Sequence, residues 1–317
     1  MSELTRFLFE GLPVRGALVR LDDAWQELLQ RRQAQGSYPP PVSTLLGEMA
    51  AAAVLMQAQL QFNGALILQI YGDGPVKLAV AEAQPDLAFR CTAKVVGEVA
   101  PQDQLEALVN VQGQGRCAIT LDPRQRQPEQ PPYQGVVALY GDHKEPLQRL
   151  QQVLEHYMLQ SEQLDTRLIL AANQSVAAGL LIQRMPLEGA ANLGRRHEDE
   201  IGLSEAYNRI ALLAATLSEE ELLGLPSAKI LHRLFWQETL RVFEPARPRF
   251  ACSCSRQRVR NMLLGLGRDE SDSLIEERGQ VDVCCEFCGL QYQFDAVDVG
   301  EMFTPVRDQA PGSAGMQ

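Results

Sequence analysis

Five of the seven cysteines lie between positions 252 and 288, and four of those five fall into two close pairs. Cys252-Ser253-Cys254 has one residue between its thiols, Cys285-Glu286-Phe287-Cys288 has two, and 30 residues separate the pairs. Tetrahedral zinc takes four soft ligands at about 2.3 Å, and thiolates supplied as two local pairs meet that need. Cys252, Cys254, Cys285 and Cys288 are therefore expected to hold one Zn2+. The second pair has the form of a zinc knuckle: Gln280–Cys284 reads as a strand, Gly289 follows the last thiol, and Leu290–Phe294 reads as the returning strand. A hairpin turned around a metal needs that glycine, because its backbone amides must bend toward the sulfurs. Cys284 could replace Cys285 as a ligand. Its longer gap to Cys288 suits a knuckle less well, however, and alternation along a strand points it away.

Paired thiols also have redox chemistry. Each pair is close enough to oxidise locally, to Cys252–Cys254 and Cys285–Cys288 disulfides. Zinc would tie the pairs together across the intervening chain, whereas local disulfides close tiny loops, recover little loop entropy and no longer join the two halves. Oxidation would release metal and long-range constraint together, an order-to-disorder switch. Two competing readings stay open. One is a binding or scaffold protein whose zinc ribbon is permanently structural, the commoner fate of four-cysteine sites. The other is a thiol oxidoreductase, although a thioredoxin-like pair opens a helix after a strand and this pair sits in a hairpin.

The elements that position these thiols form a small module, 251–304. Ser255–Leu264 reads as a helix ending at Gly265 and Gly267. Asp269–Arg278 reads as a second helix, with Ser273 and Glu276 spaced as a capping box for a late start and Gly279 as its stop. A core of about 50 residues is marginal alone, so metal should supply much of its folding energy.

Upstream, residues 1–192 are expected to form a core domain. Ala65–Tyr71 and Val76–Ala81 read as strands joined by a tight Gly72-Asp73-Gly74-Pro75 turn whose glycines tolerate positive φ. Phe89–Val95, Arg116–Leu121, Gln134–Tyr140 and Arg167–Ala172 are further strands, and Cys91 and Cys117 on two of them read as buried structural thiols. Val42–Phe62 reads as an alanine-rich helix, and Leu147, Leu150, Val153, Leu154, Tyr157 and Met158 mark one face of another. Strands and helices in mixed order without βαβ alternation give an α+β class: a large mixed-sheet core domain, a helical linker over 193–250 and the four-cysteine zinc module. In the linker, Ala191–Glu200 is a charged break. Ser204–Phe243 is helical in pattern, with Ser204 as N-cap and an interruption at Gly224-Leu225-Pro226. Residues 305–317, rich in Gly, Ser, Pro and Gln, are expected to be disordered.

The 317 residues are 45% hydrophobic, enough for a substantial core. A net charge of −11 argues against nucleic acid, which needs a basic surface. Met1–Val14 carries Glu3 and no long apolar run, and no stretch of about 18 uncharged apolar residues exists. The expectation is a cytoplasmic protein without membrane contact. His197-Glu198-Asp199-Glu200-Ile201 lacks the second histidine of a zinc-protease motif, and His143, His156 and His232 have no partners in sequence. Gly72-Asp73-Gly74 precedes a strand, so no phosphate cradle forms there, and an ATP-driven or otherwise enzymatic role is not expected. Arg256, Arg258 and Arg260 read as a solvated basic face.

Cys-x-Cys, 30 residues and Cys-x-x-Cys-Gly near the C-terminus resemble the redox-regulated 33 kDa heat-shock chaperonin family. Tyr71-Gly72-Asp73-Gly74-Pro75, Tyr133-Gln134-Gly135-Val136-Val137, Ser161-Glu162-Gln163-Leu164 and Ala178-Gly179-Leu180-Leu181-Ile182-Gln183 are similar to its core-domain segments. So are Leu231-His232-Arg233-Leu234-Phe235, Phe243-Glu244-Pro245 and Phe250 before Cys252-Ser253-Cys254-Ser255, and the likeness runs in order over nearly the full chain. Cys284 departs from the family pattern. The resemblance implies an ATP-independent holdase, idle when reduced and zinc-bound. Oxidation of the four thiolates to two disulfides would unfold the module and then the linker, expose a surface that captures unfolded clients, and be accompanied by dimerisation. Ile210, Leu213, Leu217, Leu222 and Leu223 are the candidate client-binding residues.

Overall fold

Alternating apolar residues in the first half of the chain build two sheets around one nearly all-apolar helix. The computed structural model describes residues 1–33, 35–125, 132–185 and 203–304. The chain divides into two compact units, Met1–Ala251 and Cys252–Gln317.

The first sheet has the order β10-β1-β2-β9-β8. It joins β1 (Glu3–Phe9), β2 (Val14–Leu21), β8 (Thr166–Ala172), β9 (Ala177–Arg184) and β10 (Leu240–Val242), all antiparallel. The second has the order β11-β5-β4-β3-β6-β7. It joins β3 (Gly64–Tyr71), β4 (Val76–Ala83), β5 (Ala88–Val95), β6 (Arg116–Pro123), β7 (Tyr133–Ala138) and β11 (Arg249–Phe250). Among the described residues only the pairing of β11 with β5 is parallel, which makes this sheet mixed.

Pro40–Gln57 packs on β2, β8 and β9 of one sheet and on β3, β4 and β5 of the other. A helix this apolar must be covered on most of its faces, and a position between two sheets does that. Small residues allow the approach: a Cβ on Gly47 would lie 2.4 Å from that of Ala172. Among the described residues no helix is long and apolar enough to cross a membrane.

Helices Leu203–Ala215, Glu219–Gly224 and Ser227–Phe235 bury their apolar faces against the other side of the first sheet. Ile210, Ala214, Leu217, Leu222, Ile230, Leu231, Leu234 and Phe235 join Phe7, Phe9, Leu18, Ile169, Leu180 and Ile182 in one cluster. The Phe235 ring meets Phe9 edge-on with centroids 5.0 Å apart. Ser218 starts the middle helix with a capping box, its Oγ accepting from Glu221 N–H while the Glu221 carboxylate accepts from Ser218 N–H.

Several local expectations change. The helical pattern over Ser204–Phe243 breaks at Ser218 as well as at Gly224 and Pro226, and its last part is strand β10 on the edge of β1. Edge pairing overrides periodicity there. The first of these helices already runs through Ser204, which is therefore not its N-cap. Gly72 and Gly74 do not adopt positive φ. They are glycines because a Cβ on Gly72 would lie 2.0 Å from the Val76 carbonyl and one on Gly74 2.6 Å from that of Leu108. Helix Leu150–Glu162 starts after Leu147. The charged break, the incomplete protease motif at His197 and the tail 305–317 lie outside the described residues.

In the second unit, helices Arg256–Leu266 and Arg268–Arg278 are followed by the hairpin β12 (Val281–Cys284) and β13 (Gln291–Phe294) and by helix Ala296–Phe303. Ser255 caps the first helix by accepting from Arg258 N–H, and Gly279 stops the second in the left-handed conformation. That second helix begins at Arg268, so Ser273 and Glu276 lie inside it and form no capping box. The last helix escaped the sequence reading; Asp295 begins it with a capping box onto Asp298. Leu263, Val281, Tyr292, Phe294, Val299 and Met302 make the unit's own small core.

Candidate metal centre

The hairpin and the start of the first module helix bring the four paired thiols together. Cys285 closes β12: its N–H donates to Leu290 O at 2.9 Å and its carbonyl accepts from Gly289 N–H at 2.8 Å. Gly289 sits at φ 74°, the left-handed region where a side chain costs energy, so the turn around Cys288 depends on glycine as expected. Cys252 and Cys254 approach from the segment before Ser255, and the capped helix fixes where that segment ends.

The sulfurs of Cys252, Cys254, Cys285 and Cys288 all lie within 4.8 Å of one another. Two short approaches run between the pairs, at 3.6 Å for Cys252–Cys285 and 3.3 Å for Cys254–Cys288. Four thiolates around one tetrahedral ion at about 2.3 Å stand roughly 3.8 Å apart, so this donor set could hold a metal ion.

Its electrostatics divide the thiols. Backbone N–H groups of Phe287 and Cys288 donate to the Cys285 sulfur, and that of Leu290 to Cys288. Burial opposes ionisation of Cys254, but hydrogen bonds from the Tyr292 hydroxyl and the three neighbouring thiols outweigh it and lower its pKa. Burial raises the pKa of Cys285 and Cys288, and the neighbouring thiols raise both further. A divalent ion would reverse that balance. Tyr292 is the residue that sequence reasoning missed. Its hydroxyl donates to Cys254 Sγ at 3.2 Å, a contact set by hairpin register, with Tyr292 opposite Val283, which no local motif encodes.

Cys284 is exposed and outside the four-sulfur group. Cys91 and Cys117 are buried in β5 and β6. Burial pushes the Cys117 thiol up to about 12 and that of Cys91 higher still. Arg256 is more than a solvated charge: its guanidinium lies 4.2 Å over the Phe294 ring and pairs with Asp298 at 2.8 Å. Of the five candidate client-binding residues, Ile210, Leu217 and Leu222 are buried, and Leu213 and Leu223 are partly buried against the same cluster.

An α+β body followed by a C-terminal module with four clustered cysteines defines a class of proteins in which a small thiol-rich unit follows a large mixed-sheet one. The model of the Hsp33 protein family matches residues 2–295, and the chain belongs to that family, whose functional class is chaperone. The 33 kDa chaperonin of Chromobacterium violaceum is 47% identical over 302 residues, covering 95% of this chain and 94% of that protein. The 33 kDa chaperonin of Neisseria meningitidis serogroup A is 40% identical over 302 residues, covering 94% and 90%. The crystal structure of the 33 kDa chaperonin of Thermotoga maritima matches with a TM-score of 0.73 at 21% identity, over 95% of this chain and 97% of that one. That last likeness is one of fold.

Proposed function

We propose that the protein is a redox-switched, ATP-independent holdase whose switch is a Zn2+ held by Cys252, Cys254, Cys285 and Cys288. The observation that supports this most is the meeting of two remote thiol pairs within 4.8 Å. Bound there, zinc supplies a cross-link between the halves of the module and keeps the sulfurs as nucleophilic thiolates.

Oxidation removes that cross-link. Two thiolates and a proton reduce one hypochlorous acid to chloride and water, and the electron pair lost forms one S–S bond. Two equivalents convert all four thiolates and free the ion. With no metal to hold them together the pairs would separate, while the thiols within each pair would stay tethered by one or two residues and close on each other. Cys252–Cys254 and Cys285–Cys288 result, and the module's six-residue buried core is too small to persist without the metal. Release then spreads to the helices over 203–235, whose Ile210, Leu213, Leu217, Leu222 and Leu223 become an apolar surface for unfolded clients, with dimerisation of the oxidised form. The protein acts in the cytoplasm, where reductants reset the thiols.

A second reading, a permanently structural zinc site, is favoured by the module's having a core of its own. One paired measurement separates the two: zinc release to a chromogenic chelator during oxidant treatment, beside suppression of aggregation of a thermally unfolding client. The switch requires both to rise together and to reverse with reductant. Retained zinc, or lost zinc without gained activity, identifies the static site.

A further inference from the structure

Far in sequence from the four paired cysteines, a cavity of about 90 Å³ opens in the first unit, where the C-terminal ends of helices Pro40–Gln57 and Leu150–Glu162 meet both sheets. Met56, Leu66, Ile119, Leu121, Met158 and Leu181 make its walls apolar. An engineered cavity of about 150 Å³ encloses benzene, so this one takes roughly four carbon atoms.

Two polar groups on its lining are incompletely used. Arg15 donates through Nε and Nη2 to Gln183 Oε1 and through Nη1 to the Gln59 carbonyl. A guanidinium has five N–H groups, so one remains on each terminal nitrogen. Gln183 is 1% exposed and is held in turn by Thr166 Oγ1 at 2.9 Å, which makes the arginine's seat rigid. Among the described residues no carboxylate pairs with Arg15, and burial holds its pKa below the usual guanidinium value. Gln59 Nε2, also on the lining, is buried and has no hydrogen-bond partner among the described residues. On the other side, the Glu162 carboxylate already accepts from Tyr133 and Tyr157, each at 2.9 Å. A half-buried cation without a counter-charge and an unmatched amide donor beside it are both costly. An anionic acceptor would satisfy both at once.

We propose that this cavity is a binding site for a small carboxylate with a short apolar tail, the carboxylate on Arg15 and Gln59 Nε2 and the tail of about four carbons among Leu66, Ile119, Leu121 and Leu181. The site is built within the first unit and is independent of the metal reading.

The test is calorimetric titration of the full-length, reduced, zinc-loaded protein with sodium pentanoate and with 1-pentanol. Pentanoate is expected to bind saturably, one per chain, at least about tenfold more tightly than the alcohol. Arg15→Met should reduce pentanoate to the alcohol's affinity and leave the alcohol unchanged. Leu121→Phe, which fills the cavity and keeps Arg15, should abolish both. No saturable pentanoate binding, equal affinity for acid and alcohol in the unaltered protein, undiminished pentanoate affinity in Arg15→Met, or pentanoate binding that survives Leu121→Phe would overturn the assignment.

Discussion

The hydroxyl of Tyr292 donates to Cys254 Sγ across 3.2 Å, so a side chain of the hairpin's second strand reaches the thiol pair that enters from the other end of the module. It ties the two halves together even apart from any metal, and it steadies a sulfur whose pKa is lowered.

Tyr292→Phe tests that contact. Tyr292 is a buried member of the module core, so the phenyl ring keeps the packing and loses only the hydrogen bond. Outer hydrogen bonds to metal ligands are worth roughly 10–100-fold in affinity. Zinc affinity measured by chelator competition should fall by about tenfold, with the module still folded when loaded.

Metal removal should act on one unit only. Stripping the reduced protein with a chelator is expected to expose Cys252–Thr304 to amide hydrogen exchange, while the strands of the first unit keep their protection. Re-addition of Zn2+ should restore it. Uniform protection after stripping would mean that the six-residue core suffices alone.

Thiol reactivity should follow burial and pKa. In the reduced protein a maleimide is expected to modify Cys284, the exposed thiol, and to spare Cys91 and Cys117 until the first unit unfolds. Burial keeps those two protonated at neutral pH, and the thiolate is the nucleophile. Peptide mapping after brief labelling reads this directly.

Glu48 gives a pH signature. Burial first, and then the charge of Glu219, push its pKa up to about 8, with Arg149 opposing. The folded protein thus holds this proton more tightly than the unfolded chain. Its contribution to stability is greatest below the ordinary carboxylate value and is lost as pH rises toward about 8. Glu48→Gln is expected to raise Tm at pH 8 and to leave it nearly unchanged at pH 5, by roughly 2–4 °C per kcal/mol recovered.

How much of this was legible in the sequence depends on the range of the forces involved. The knuckle was readable because its chemistry is local: Cys285, Cys288 and Gly289 lie within one turn, and zinc chemistry restricts their spacing. The alanine-rich helix is readable because its residues favour helix locally, whereas its place between the two sheets is not. Strand β10 was misread as helix because its pairing partner β1 is more than 230 residues away, and periodicity carries no record of that. Tyr292 and the Arg15 cavity were invisible for the same reason: each depends on a register or a meeting of distant elements. The glycines at 72 and 74 read as turn residues with conformational freedom, and in the structure they serve close approach.

The central claim is that oxidation exchanges a tie between remote thiol pairs for bonds within each pair. Mass-spectrometric mapping of the oxidised, zinc-free protein tests it most directly, since all four sulfurs start within 4.8 Å of one another and two short approaches cross between pairs. The account predicts Cys252–Cys254 and Cys285–Cys288 peptides in protein that suppresses aggregation. Active protein carrying Cys252–Cys285 and Cys254–Cys288 instead would retain the long-range link and contradict it.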